Sequence, residues 1–278
     1  MTQHNTRHRR TVLRTLASCT LALLAGCTGK ATQTDETQGA TGERNGVLNR
    51  VAIEQTTLVV ELANDDPDVV NLIEPNGELW KSRDVATGVE RVSFEIGTSY
   101  TPGEHRVLAV KDDESIAEVA LTIRPQLEIV DVGLFRNHPE KPWEEVYGES
   151  ETNRKKDGEA FVTIANSGTG PDTVTRLRFD GDLPNQSDDS RGSGLYGRKQ
   201  AKILPTDSID LYSSTYPFGP PLYEDEVRCS EAGTEGVFTV KIDSDVSGEG
   251  IEKQFAITYS GSEDFHDCDI EIKGVIDG

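Results

Sequence analysis

From residue 51 onward, apolar and polar residues alternate in short runs, and no stretch keeps the 3.6-residue period of a helix. The alternation predicts strands at 57–62, 69–73, 92–96, 106–110 and 116–123. They are separated by the turn-forming groups Asn64-Asp65-Asp66-Pro67, Pro75-Asn76-Gly77, Thr101-Pro102-Gly103 and Asp112-Asp113. Pro125 punctuates the chain, and a clean alternation follows in Leu127-Glu128-Ile129-Val130-Asp131-Val132-Gly133-Leu134. After a polar excursion at 137–158, which carries Trp143 and Tyr147, comes a strand ending in Asn166-Ser167-Gly168-Thr169-Gly170. Further strands are expected at 174–179, 209–213, 237–242, 253–259 and 269–272. Short strands at this spacing, with long loops in the second half, argue an all-β chain of two antiparallel β-sandwiches, 50–124 and a larger 125–278.

Two short motifs sharpen the class. Tyr100-Thr101-Pro102-Gly103-Glu104-His105-Arg106-Val107 resembles the late hairpin of immunoglobulin-like and fibronectin-like surface modules. The strand ending in Asn166-Ser167-Gly168-Thr169-Gly170-Pro171 is similar to the adhesion-type immunoglobulin-like modules of archaeal and bacterial surface proteins. In that reading Gly168 and Gly170 supply positive φ in the turn.

The region before residue 50 has a different pattern. Arg7, Arg9, Arg10 and Arg14 precede or open a weakly apolar run to Gly26, with no acid before Asp35. A bilayer span needs about 20 predominantly apolar residues, so this run is too short to anchor the chain. Arg9-Arg10 ahead of Leu24-Ala25-Gly26-Cys27 resembles a twin-arginine export signal fused to the lipobox of a bacterial or archaeal lipoprotein. The resemblance implies that 1–26 is removed and that the thiolate of Cys27 takes a lipid. Stable anchoring calls for a lipid with two chains. Residues 27–49, rich in Thr, Gln and Gly and free of aromatics, then read as a disordered tether.

Charge narrows the setting. The 278 residues carry 28 basic and 49 acidic side chains, a formal charge of −21, and the loss of four arginines with the signal takes it to −25. Such acidity opposes nucleic acid and anionic lipid. Spread over strands and loops alike, it resembles the carboxylate-coated secreted proteins of extreme halophiles, and with the export signal it looks haloarchaeal. The expected location is the outer face of the cytoplasmic membrane, with an extracellular protein or glycan as partner. Of four cysteines, Cys19 leaves with the signal and Cys27 is lipidated, so in an oxidising compartment Cys229 and Cys268 are expected to pair.

Chemistry is harder to find. The chain has no Gly-x-Ser-x-Gly elbow, His-Glu-x-x-His helix or Walker loop. Beyond the signal only His105, His138 and His266 remain as bases. Blue copper needs two His, a Cys and usually a Met, whereas Met1 is the only methionine and no His follows Cys268. Asp243, Asp245 and Ser247 match the first half of a calcium loop, but the twelfth position is Gln254 rather than Glu, so an acidic hairpin turn is the plainer reading. Asn185-Gln186-Ser187 is a glycosylation sequon in a polar loop expected to be exposed. Trp143, Tyr147, Tyr196, Tyr216, Phe218 and Tyr223 either form a recognition surface or, as expected, cap the core beneath their own loops. The sequence therefore favours a lipid-anchored binding or structural module with no cofactor and no catalysis. The alternatives are a solute receptor for a transporter or a carboxylate-based surface hydrolase.

Overall fold

The computed structural model describes residues 46–64, 66–149, 156–185, 192–221, 226–262 and 267–276. The chain divides into Met1–Glu36 and Thr37–Gly278, and all the described residues belong to the second unit. Arg9, Arg10, Cys27 and His266 lie outside the described residues.

The fold is all-β, and every pairing between named strands is antiparallel. The first half holds β1 (Leu48–Glu54), β2 (Thr57–Leu62), β3 (Val69–Ile73), β4 (Leu79–Asp84), β5 (Arg91–Glu95), β6 (Gly103–Lys111) and β7 (Glu114–Ile123). They form a three-stranded sheet, β1-β2-β5, and a four-stranded sheet, β4-β3-β6-β7. Leu58, Val60 and Phe94 from one sheet and Val70, Leu72 and Val107 from the other share one buried cluster. In β6 and β7 the buried positions alternate strictly with exposed or half-buried ones, as expected where one sheet face meets a core and the other meets water.

The second half holds β8 (Leu127–Leu134), β9 (Ala160–Asn166), β10 (Asp172–Gly181), β11 (Ala201–Ile203), β12 (Ser208–Tyr212), β13 (Thr234–Ser244), β14 (Gly248–Gly261) and β15 (Cys268–Val275). Here a three-stranded sheet, β12-β9-β8, faces a five-stranded one, β11-β10-β13-β14-β15. Ile129, Val132 and Val162 pack with Leu177, Phe238 and Ile257 across the gap. At the flanks β12 meets β11 and β8 meets β14.

A 3₁₀ turn at Phe135–Asn137 and a short helix, α1 (Trp143–Tyr147), fill the polar excursion after β8. Trp143 and Tyr147 are buried with Phe161 and Tyr212 in a separate aromatic cluster. The Trp143 Nε1–H donates to the His138 carbonyl (2.6 Å), and the Tyr147 hydroxyl donates to the Ser213 carbonyl (2.7 Å). Each aromatic ring thus buries its apolar body while its polar atom finds a backbone partner.

The strands expected from alternation are all present. Three were not expected: β1, the exposed edge strand β4 and the three-residue β11. Leu48, 1% exposed, belongs to the first core, so the expected tether is two residues too long at its C-terminal end.

Candidate functional site

Two places gather polar chemistry against packed structure: the junction between the two halves, and the open flank of the second half between β8 and β15.

At the junction the organising group is the carboxylate of Asp172, which is fully buried at the start of β10. Its Oδ1 accepts from the backbone N–H groups of Thr173 (2.7 Å) and Val246 (2.9 Å). Its Oδ2 accepts from Ser244 Oγ (2.9 Å), Ser247 N (3.0 Å) and Ser247 Oγ (2.7 Å). A buried charge costs several kcal/mol unless its lone pairs are matched, and these five donors match them. The tied segment is the β13–β14 turn, whose Val246 packs against the core of the first half. Around it, Tyr100 Oη donates to the Pro171 carbonyl (2.9 Å), and the hydroxyls of Thr173 and Thr98 bond at 2.7 Å. Thr169 Oγ1 donates to the Thr122 carbonyl (2.7 Å), and the Gln126 N–H donates to Asn166 Oδ1 (3.0 Å). Burial, and then the Asp172 charge, raise the Tyr100 hydroxyl above the usual phenol range; the same two causes raise the Asp245 carboxyl.

The glycines of this junction are used differently from the sequence expectation. Neither Gly168 nor Gly170 is among the residues with positive φ. A Cβ on Gly170 would overlap Tyr100 Oη, and one on Gly168 would overlap Arg124 O and Gln126 N. Close approach of the two halves, not turn geometry, requires the missing side chains.

On the flank, three long side chains bridge the two sheets. Lys253 Nζ donates to the Ile129 carbonyl (2.7 Å), and Asn137 Nδ2 donates to the Ile270 carbonyl (2.9 Å). An Arg136 guanidinium N–H donates to the Cys268 carbonyl (2.5 Å). Burial lowers the Arg136 pKa from the usual guanidinium value. Between these bridges lies a cavity of about 250 Å3, lined by residues of β8 and β15 and floored by Phe255.

The residues singled out by sequence separate into several environments. Cys229 and Cys268 are joined in a disulfide, with Cα atoms 5.7 Å apart, in the range such bonds require. Asp243, Asp245 and Ser247 do not converge as a calcium loop. Asp243 takes an Arg178 guanidinium nitrogen on both oxygens (2.8 and 3.0 Å), Asp245 lies exposed in the turn, and Ser247 serves Asp172. Among the described residues no group of three or more His, Cys, Asp or Glu side chains is placed to hold a metal ion. Asn185 is only 8% exposed, with its backbone N–H on the Pro217 carbonyl, so the expectation of an exposed sequon fails at the asparagine itself.

Of the aromatic residues, Trp143, Tyr147 and Phe218 are buried, Tyr196 and Tyr216 half-buried, and Tyr223 lies outside the described residues. His105 is fully buried beside Trp80 and Tyr100; its Nδ1 lies 3.2 Å from the Gly103 carbonyl, and burial lowers its pKa. His138 pairs with Glu140 (3.1 Å) on the surface. Asp172 escaped the sequence reading because one aspartate after a proline gives no signal of the donors that the fold brings to it.

No protein-family model and no curated protein matches the chain. Among solved structures it is similar to a β-glucuronidase from glycoside hydrolase family 2, at 10% identity and a TM-score of 0.21 over 79% of this chain and 20% of that one. It is similar also to a β-glycosidase from Bacteroides vulgatus, at 14% identity and a TM-score of 0.20 over 74% of this chain and 22% of that one. With the human OSCAR ligand-binding domain the values are 11% identity and a TM-score of 0.22 over 86% and 96% of the two chains. The chain thus spans about a fifth of the length of the two glycosidases. Likeness at this level carries no functional argument, and the all-β class rests on the sheets themselves.

Proposed function

We propose that this chain is an exported, lipid-anchored surface protein that binds or supports a partner and catalyses no reaction. The observation that carries the reading is the pinned junction. Hydrogen bonds between Tyr100 and Pro171, Thr98 and Thr173, and Thr169 and Thr122 tie the two halves around a fully buried aspartate. A solute receptor that closes on its ligand needs a hinge whose few residues absorb a change of backbone angle. A doubly tied junction with glycines in steric contact favours a stiff arm that presents a surface at a fixed angle. A carboxylate hydrolase needs two free, converging acids; at the junction Asp172 has both oxygens occupied by donors. The test is fractionation of expressing cells: wild type is expected with membranes, and Cys27→Ser in the medium. Membrane retention of the Cys27→Ser protein overturns the anchoring.

A further inference from the structure

Away from the junction and the flank, the β1-β2-β5 sheet carries a polar cavity on the face turned from the core. Val51, Ile53, Leu58, Val60, Val92 and Phe94 point into the first core, so the residues between them point outward. The strand register arranges these in three rows across the sheet: Arg50–Glu61–Arg91, Ala52–Val59–Ser93 and Glu54–Thr57–Glu95. Short side chains in the middle row, between rows of mostly long charged ones, make a trough. Two ion pairs span it. Arg50 Nη1 reaches Glu54 Oε1 (2.7 Å) along β1, hence over Ala52, and Arg91 Nη2 reaches Glu54 Oε2 (2.7 Å) diagonally, hence over Val59. These bridges account for the burial of Ala52 and Val59, 0% and 2% exposed, on a face that otherwise meets water. Beside the second bridge lies a cavity of about 390 Å3, lined by Glu54, Gln55, Thr57, Val59, Arg91 and Ser93.

The rim of this cavity sets donors beside acceptors. Two guanidinium groups neutralise Glu54, yet each of its oxygens keeps a lone pair, and Arg91 keeps N–H groups beyond the one given to Glu54. Thr57 gives its hydroxyl hydrogen to Glu95 (3.0 Å) and keeps its lone pairs. The side chains of Gln55 and Ser93 are exposed and make no hydrogen bond among the described residues. An anion is opposed here by Glu54, and a cation by Arg50 and Arg91, so net charge selects neither. Hydroxyl groups, each of which donates and accepts, match a rim of alternating character. The volume falls within the roughly 300–1,000 Å3 of small-molecule sites. Gln55 adds an observation of another kind. It opens the two-residue turn between β1 and β2 with φ 57°, a left-handed conformation that glycine or asparagine adopts with less strain. A glutamine there strains the backbone, and it lines the cavity.

We propose that this trough binds a neutral sugar residue of a glycan, with Arg91 and Ser93 donating to its hydroxyls, Glu54 accepting from them and the Gln55 amide doing both. The proposal rests on the binding reading above and names the class of ligand.

The experiment titrates the disulfide-intact chain with the methyl α-glycosides of glucose, galactose and mannose, whose methyl group stands for the rest of a glycan. Glucuronate and glucosamine serve as charged controls, and backbone amide NMR shifts report binding. At least one neutral glycoside is expected to bind with a Kd of about 1–10 mM and to move the Thr57, Arg91 and Ser93 amides, with both charged sugars binding more weakly. Ser93→Ala is expected to weaken binding about fivefold with an unchanged unfolding midpoint. Gln55→Gly relieves the strained turn, so the midpoint should hold or rise while affinity falls at least about fivefold. No binding of any of the three glycosides, charged sugars bound as tightly as neutral ones, or wild-type affinity in both variants overturns the proposal. Fractionation of the Cys27→Ser protein reads the anchoring separately, so failure of the trough leaves that conclusion standing.

Discussion

Removing the Asp172 carboxylate is the sharpest test of how the two halves are held. In Asp172→Ala, three backbone N–H groups and two hydroxyls lose their acceptor. Hydrogen bonds to a charged group contribute about 1.5–3 kcal/mol each, but five such bonds cannot simply be added. The desolvation cost of the carboxylate vanishes with it, the serine hydroxyls rotate to other acceptors, and the exposed turn at Asp245 and Ser247 admits water. The backbone donors of Thr173 and Val246 have less freedom, and Val246 loses its fixed place on the first core. A net loss of about 4 kcal/mol is expected for Asp172→Ala. Asp172→Asn keeps one acceptor oxygen but turns an NH2 group toward donors on the other side, at a cost of about 2 kcal/mol. Urea unfolding followed by fluorescence gives both numbers, provided the slope with denaturant stays that of wild type. Amide exchange should quicken around Val246 and Thr98 more than in β8 and β9. A stability of Asp172→Asn equal to wild type, or exchange that rises uniformly, would show that the five donors are not what fixes the turn.

Other expectations follow from single contacts. Tyr100→Phe removes the bond to the Pro171 carbonyl and should cost about 1 kcal/mol in the same unfolding assay; Gly170→Ala, which drives a methyl into Tyr100, should cost more. Replacing Cys229 and Cys268 by Ser should lower stability by about 2–5 kcal/mol, and unreduced peptide mapping should find the pair linked in wild type. Because burial lowers the His105 pKa, the native state holds it neutral. Its contribution is complete above the ordinary histidine pKa of about 6.5 and is lost as pH falls from there toward the lowered native value. Stability of His105→Phe measured against pH should lack that slope. Asp245 has the opposite sign: its raised pKa means that its contribution is present at low pH and lost as pH rises, so Asp245→Asn should stabilise the protein near pH 7. Replacing Arg9 and Arg10 by Lys should block export, and export that continues would point to the general secretory route.

The sequence was most readable where one rule acts alone. Strict alternation located β6 and β7 because each has one face on a core and one in water. It missed β4, whose sequence Leu79-Trp80-Lys81-Ser82-Arg83-Asp84 lies on an exposed edge where burial imposes no period. It missed α1, since five residues are less than two helical turns and the burial of Trp143 and Tyr147 comes from tertiary packing. The cysteine pair was legible because setting aside Cys19 and Cys27, as the expected export signal and lipid site require, leaves two thiols. Asn185 and the glycines show the reverse case: a local motif suggested exposure or a turn, and a neighbour distant in sequence decided otherwise. Gly168 and Gly170 are glycine because Arg124, Gln126 and Tyr100 approach them, which no window of a few residues can reveal.

The same logic connects the two candidate places. At the junction, polar atoms that the fold would otherwise bury without partners are all given one: Tyr100 meets Pro171, Thr98 meets Thr173, and Asp172 meets five donors. On the β8–β15 flank the opposite holds. Side chains of Arg136, Asn137 and Lys253 close both ends of the gap on backbone carbonyls, while the middle keeps two half-exposed valines and an edge N–H capped only by the adjoining Asp131. A surface that is sealed at its ends and left apolar at its centre is costly in a chain coated with carboxylates, because each valine left in water forgoes part of the roughly 1.5–3 kcal/mol that full burial would contribute.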